Sequence, residues 1–242
     1  MTGEGTGADS GGRSPAARAR IAGLVGLLTL AAGTFAGVVH GDLVVPGDAA
    51  ATARHLAASG TLFRLGLAGG LAMMVAFLAY VLLLHRLLER VDRGWAMAMA
   101  VLALVSVPIY MLAQVNAVGA LLSASSGAVE RVELFLELHR AGSLVASIFF
   151  GLWLFPLGLL VYRSGFLPRV LGVLLMAGSP GYVVAFAQGF LAPGAEGGLW
   201  SDPLLVVTHV SEAALMLWLL ARGVDAEAWR RAAPGGAAGS SG

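Results

Sequence analysis

Six long apolar segments decide what this chain can fold into. They cover Ile21–Val39, about Leu65–Leu84, Trp95–Leu122, Ala141–Leu160, about Val170–Leu191 and Leu204–Ala221. As a helix that rises about 1.5 Å per residue, each is long enough to cross a hydrocarbon layer of about 30 Å. Backbone groups in lipid must be hydrogen-bonded within the segment, so helices are expected. The sequence therefore predicts an all-α fold, an integral membrane bundle of six helices.

The composition agrees with a membrane location. Only 12% of the 242 residues are charged, whereas about 25% are charged in a typical soluble domain. The net charge of +1 excludes the basic surface that nucleic acid binding needs, and the lipid bilayer is the expected partner. The chain has no cysteine, so disulfides, thiolate metal sites and cysteine nucleophiles are excluded.

The basic residues, all of them arginines, predict the orientation of the bundle. With the N-terminus inside, eleven lie on the cytoplasmic side, and the four on the outer side are Arg54, Arg64, Arg131 and Arg140. Since short cytoplasmic loops carry the excess of basic residues, both termini are predicted to be cytoplasmic. Residues 1–20 and 223–242, rich in Gly, Ala and Ser, are predicted to be disordered tails around a transmembrane domain of residues 21–222.

Two outer connections contain short helical segments. Asp48 precedes an alanine-rich stretch that ends at Gly60, which is typical of a capped helix. In the second connection Glu130, Glu133, Glu137 and Arg140 recur every three or four residues and so share one helical face. The fourth span is therefore predicted to begin outside the membrane.

His209 and Glu212 are the ionisable side chains within the six apolar segments. Three residues apart, they share a face of the sixth helix, and Glu212 lies roughly 12 Å below its outer edge. An ionised carboxylate at that depth is costly, and ionisable residues inside a membrane are candidates for a functional site.

Further polar side chains gather toward the same outer side. The candidate binding residues are Gln114, Asn116, Gln188, Arg64, His139 and Arg140. The inner halves of the helices are nearly free of polar groups. This distribution predicts a polar cavity that opens outward and is centred on His209 and Glu212.

Four interpretations of the pair stay open. His209 and Glu212 fix helix packing; or they act as acid and base on a small amphipathic or lipid-like molecule; or, with His139 and His40, they bind zinc; or they serve proton-coupled transport. No His-Glu-x-x-His motif supports zinc, and no polar path to the cytoplasmic side supports transport. Whether the chain is an enzyme stays undecided.

Several segments resemble a known family. They are "ARIAGLVGLLTLAAGTFAG", "VPGDAAATARHLAASGTLFRLGL" and, most specifically, "YRSGFLPRVLG" at Tyr162–Gly172. They are similar to the domain of unknown function 4386 family of bacterial multi-pass membrane proteins. The resemblance implies a bundle of six or seven helices in the inner membrane, without an established activity. It matches Glu212 and His139 to a family glutamate and histidine, while the family's aspartate in the second helix is absent here.

Overall fold

The chain folds into helices that confirm the predicted all-α membrane bundle. The structure, a computed structural model, describes residues 14–191 and 203–232. These ranges form α1 (Pro15–Leu43), α2 (Ala49–Ala58), α3 (Gly60–Leu88), α4 (Arg93–Ser125), α5 (Val129–Leu152), α6 (Leu154–Arg163), α7 (Arg169–Leu191), α8 (Pro203–Ala221) and α9 (Ala226–Arg231). Six spans are long and apolar enough to cross a membrane: α1, α3, α4, α5 together with α6, α7 and α8.

The first span starts earlier than its apolar run. The Ser14 side chain accepts a hydrogen bond from the Ala17 N–H at 3.2 Å, and Pro15 takes the first helical position, where its missing N–H costs nothing. Residues 15–20, which the sequence assigned to a disordered tail, are therefore helical. In the other predicted tail, residues 226–231 form α9. The rest of the predicted tails, residues 1–13 and 233–242, lies outside the described residues.

Both predicted helical segments between the spans are helices. Asp48 caps α2 by accepting a hydrogen bond from the Ala51 N–H at 2.8 Å. Thr52 ties the preceding loop to α2 through the Val45 N–H, 2.9 Å from its hydroxyl. The acidic stretch after Ala128 is the first part of α5, which begins at Val129.

The six spans form a closed ring. In order around it, α1 packs on α3, α3 on α4, α4 on α5, α5 on α7, α7 on α8, and α8 returns to α1. Trp153, 1% exposed, fills the middle, and its ring meets that of Phe77 edge-on at 5.1 Å. We call the end of the ring that carries α2 the α2 end, and the opposite one the α9 end.

α5 and α6 are one span interrupted at Trp153. Pro156 has no N–H to continue the helical ladder, and the helix resumes through the Leu157 N–H, 3.2 Å from the Trp153 carbonyl oxygen. Beyond the break, α6 packs on α7.

Trp229 anchors α9 at the α9 end. Its indole N–H donates to the Leu87 carbonyl at 3.1 Å, and the Arg90 guanidinium lies 3.9 Å from the ring centroid. Asp225 caps the helix; hydrogen bonds from the N–H groups of Ala228 and Glu227 lower the pKa of its carboxyl. The chain after α8 is thereby fixed to the end of α3.

Backbones touch where glycines face each other. A methyl group on Gly158 of α6 would lie 2.7 Å from the Gly172 carbonyl oxygen of α7, and one on Gly172 would lie 2.6 Å from the Gly158 carbonyl oxygen. Small residues of this kind let membrane helices pack closely.

Replacing Gly172 with alanine is expected to destabilise the protein by about 1–3 kcal/mol, the usual cost of overpacking, because the new methyl group meets rigid backbone. Gly41→Ala is the matched control, since no atom lies within 4 Å of a methyl group there. Thermal unfolding in detergent should show a lowered Tm for Gly172→Ala alone. Equal Tm values for both variants would contradict the close α6–α7 contact.

Candidate functional site

A cavity of about 240 Å³ lies between α1, α3, α4 and α5 toward the α2 end. One wall consists of glycines and apolar side chains of α1 and α3. Five polar side chains also line it: Tyr110 and Gln114 of α4, His139 and Ser143 of α5, and His40 of α1, and we call these five the polar wall. The cavity is thus amphipathic.

Glycines create the apolar wall. A methyl group on Gly66 would lie 2.8 Å from Val39, so α3 and α1 are in close contact there. Gly37 lines the same wall, yet nothing lies within 4 Å of a methyl group at that position. Open space remains there because α1 has no side chain at Gly37.

On the polar wall the proton position of one histidine is fixed. His139 Nδ1 lies 3.0 Å from the Ala113 carbonyl oxygen. A carbonyl only accepts, so Nδ1 carries the proton and Nε2 is the acceptor of the neutral ring. The His40 ring lies beside it, with the two centroids 5.3 Å apart.

Three further groups complete this wall. Gln114 is buried, with 5% of its surface exposed, and its amide lies near the Tyr110 hydroxyl one turn earlier. The Ser143 hydroxyl is buried and has no protein hydrogen-bond partner among the described residues. A buried hydroxyl without a partner is uncommon in proteins.

A second polar cluster joins α7 and α8. The Tyr182 hydroxyl lies 3.2 Å from His209 Nε2 and 3.3 Å from Glu212 Oε2. His209 Nδ1 lies 2.7 Å from the Leu205 carbonyl oxygen one turn earlier. We call Tyr182, His209 and Glu212 the α7–α8 triad; all three side chains are partly exposed.

Close packing of α7 on α8 holds this triad together. The Thr208 hydroxyl lies 2.6 Å from the Gly178 carbonyl oxygen and 2.8 Å from that of Leu204. A methyl group on Gly181 would collide with the same hydroxyl. Because glycines face Thr208, Tyr182 is brought within hydrogen-bonding reach of α8.

Phe150 separates the cavity from the triad. Its ring centroid lies 6.3 Å from that of Tyr110 on the cavity side and 6.0 Å from that of Tyr182 on the triad side. His209 and Glu212 do not line the cavity. The polar side chains that were predicted from the sequence to line one cavity therefore lie in two separate sites in the structure.

The other predicted binding residues are distributed unevenly. Gln114 and His139 line the cavity, whereas Asn116, two residues along α4, is half-buried away from it. Arg64 and Gln188 are exposed.

Arg140, the remaining candidate, pairs with Glu137 through a 3.1 Å contact on the exposed face of α5. Within residues 14–191 and 203–232, no group of three His, Asp or Glu side chains comes together that could hold a metal ion. The zinc alternative thus gains no support from these ranges.

Sequence reasoning missed Tyr182, Tyr110 and Ser143. The search for ionisable side chains passed over tyrosine, although a tyrosine in mid-span brings a hydroxyl that needs a partner when buried. Ser143 carries no distinguishing signal, because serine is common where membrane helices pack.

The cavity suits an uncharged polar group. Its wall offers donors and acceptors from imidazole, amide, phenol and hydroxyl groups, and no carboxylate or guanidinium is among its lining side chains. The glycine wall opposite offers apolar contact.

Fold and cavity together define a multi-pass helical membrane protein. The chain belongs to the family described as Domain of unknown function (DUF4386), whose profile matches residues 21–223. An uncharacterized protein of Archaeoglobus fulgidus is 37% identical over 76 residues, which cover 31% of this chain and 43% of that protein. The match thus spans less than half the length of that relative. No solved structure matches the chain.

Alanine substitutions at two serines test whether the Ser143 hydroxyl of the polar wall lacks a protein hydrogen-bond partner. Ser143→Ala should change the free energy of unfolding little, because the hydroxyl has no protein partner in the described part of the chain. Ser179→Ala should cost about 0.5–1.5 kcal/mol, since it removes the 2.8 Å hydrogen bond to the Gly151 carbonyl. Unfolding of both variants in the same detergent would measure the difference; a larger loss for Ser143→Ala would contradict the described wall.

Proposed function

We propose that the protein binds a small amphipathic or lipid-like molecule in the cavity. One observation carries the proposal: Ser143, whose buried hydroxyl has no hydrogen-bond partner among the described residues, lines the same cavity as His139 and the glycines of α1 and α3. Among the described residues, no group of the protein uses the hydrogen-bonding capacity of the Ser143 hydroxyl. A ligand with a polar head and an apolar remainder complements both surfaces.

Cavity size narrows the ligand class. About 240 Å³ is slightly less than the range of about 300–1,000 Å³ that is typical of pockets for drug-sized ligands. The ligand is therefore a small molecule, or one head group with the first part of its chain. The head is uncharged and carries both a donor and an acceptor, matching an imidazole acceptor and a serine hydroxyl.

The distribution of arginines supports an orientation of the bundle in the membrane. Ten of the described arginines lie at the α9 end: Arg18, Arg20, Arg86, Arg90, Arg93, Arg163, Arg169, Arg222, Arg230 and Arg231. The α2 end has four. From the positive-inside rule we infer that the α9 end and both termini are cytoplasmic and that the cavity is in the outer half of the bundle. A bacterial inner membrane is part of the same proposal.

Acid–base chemistry by His209 and Glu212 is a second candidate function. It is supported by their contacts with Tyr182, since a shared hydroxyl lets acid and base exchange protons. A substrate in the cavity would have to pass Phe150 to reach them. Binding alone needs no such movement, so it is the better supported function.

Transport is less well supported. The cavity is lined from the α2-end half of the helices, and the core toward the α9 end consists of apolar side chains such as Leu84, Leu88, Met99 and Leu160. A substrate path through that core would require a rearranged bundle.

Filling the cavity from its glycine wall tests binding. Gly37→Leu adds a side chain at a lining residue of the cavity that has open space around it, while Gly41→Leu adds the same side chain one turn along α1, outside the cavity lining. Native mass spectrometry of gently purified protein should show an added small-molecule mass on the wild type and on Gly41→Leu, and a bare Gly37→Leu. The same spectrum for all three proteins would reject the cavity as the binding site.

Single-cysteine variants test the orientation, because the native chain has no cysteine. Ser126 is exposed in the turn between α4 and α5 at the α2 end, and Glu89 is exposed after α3 at the α9 end. A membrane-impermeant maleimide added to intact cells should label Ser126→Cys and should label Glu89→Cys only after lysis. The reverse pattern would place the cavity on the cytoplasmic side.

A further inference from the structure

We propose that the α7–α8 triad is a proton relay in which the Tyr182 hydroxyl passes one proton between Glu212 and His209. This inference goes beyond ligand binding and does not depend on it. It rests on the positions of hydrogen-bond donors and acceptors in the triad. Proton relays are one of the recurring uses of ionisable residues inside membrane bundles.

A backbone carbonyl fixes the tautomer of His209. Its Nδ1 lies 2.7 Å from the Leu205 carbonyl oxygen, which can only accept, so Nδ1 carries a proton. Nε2 is then an acceptor when the ring is neutral and a donor when the ring is an imidazolium. Whether Nε2 accepts or donates determines whether the Tyr182 hydroxyl donates a hydrogen bond to His209 or accepts one from it.

The hydrogen-bonded atoms of the triad share two protons. Two hydrogen bonds link three atoms, namely Glu212 Oε2, the Tyr182 oxygen and His209 Nε2. In one satisfied state Glu212 is protonated and donates to Tyr182, which donates to a neutral His209. In the other, an imidazolium His209 donates to Tyr182, which donates to a carboxylate at Glu212. Both states hold two protons on the three atoms.

Other protonation states leave a group without its bond. With a carboxylate at Glu212 and a neutral His209, the single proton of Tyr182 serves one of two acceptors. With Glu212 and His209 both protonated, the Tyr182 proton has no acceptor in the triad. A partly buried polar group that loses its partner is destabilising, so the triad keeps two protons.

Transfer between the two satisfied states is balanced within the triad. The proton on Glu212 Oε2 moves to the Tyr182 oxygen while the Tyr182 proton moves to His209 Nε2. One O–H bond breaks at Glu212, one N–H bond forms at His209, and Tyr182 ends with one proton as before. No further reactant takes part.

The neighbouring groups on α3, α5 and α1 that are named here do not take part in the proton exchange. On α3, Tyr80 lies near enough for the charge of Glu212 to act on it. Ser147 on α5 contacts the Tyr182 backbone carbonyl at 3.4 Å, not its hydroxyl. On α1, Gly26 faces Met216 and Tyr80 and contributes no charge.

Tyr182→Phe breaks the relay while keeping the ring that packs against Phe150. Isotope-edited infrared spectroscopy of the full chain in lipid nanodiscs can follow the protonated carboxyl band of Glu212, assigned by its loss in Glu212→Gln. In the wild type this band should stay constant between about pH 5 and 8, where histidine ordinarily titrates, because both satisfied states hold the same number of protons. In Tyr182→Phe no hydroxyl links the two groups, so the number of protons on Glu212 is no longer tied to that on His209, and the band should change in intensity across that range.

Tyr80→Phe is the matched control, since it removes a neighbouring hydroxyl that has no hydrogen bond to the triad among the described residues. It should keep the constant band of the wild type. A band that varies with pH in the wild type, or stays constant in Tyr182→Phe, would overturn the relay and leave the triad as a structural contact. Thermal unfolding of each variant confirms that the compared proteins are folded.

Discussion

Close contact between helix backbones at glycines is the constraint on which the rest of this structure depends. In lipid there is no hydrophobic driving force for the association of apolar helices, so close packing at small residues holds them together. A methyl group on Gly23 would lie 2.6 Å from the Met216 carbonyl oxygen, and one on Gly178 would lie 2.9 Å from Thr208 Cα. These contacts fix α8 between α1 and α7. At Gly37, by contrast, no neighbouring atom lies where a side chain would begin, and the missing side chain leaves open space at the cavity.

The ring order decides which polar groups meet. Because α7 and α8 are neighbours, Tyr182 reaches both ionisable side chains of α8, His209 and Glu212. α1 and α5 approach each other across the cavity, where His40 and His139 lie side by side. Each site therefore consists of side chains from helices that are far apart in the sequence or joined by a long connection.

Local features of the fold could be predicted from the sequence. Six spans follow from apolar length, and α2 follows from Asp48 before an alanine-rich stretch, because capping and hydrophobic length are properties of short segments. The depth of Glu212 along its helix follows from a fixed rise per residue. Each of these needs one helix only.

The composition of the two sites could not be predicted, because it depends on how each helix is rotated and which helix lies beside it. Gln114 and Asn116 have similar depth on α4, yet two residues turn the helix by about 200°, and Gln114 alone lines the cavity. Gln114 and His139 were combined with His209 and Glu212 on depth alone. The ring of Phe150 between Tyr110 and Tyr182 is what separates them.

One face of α5 links the two sites. Ser143, Ser147 and Phe150 recur at spacings of four and three residues, so they share that face. Ser143 lines the cavity, Ser147 contacts the Tyr182 carbonyl, and Phe150 touches the aromatic rings on both sides. Substitutions on this face would disturb ligand binding and proton exchange together. Gly37 on α1 and Tyr182 on α7 lie outside it, so changes there address one site each, and the failure of one proposal leaves the other standing.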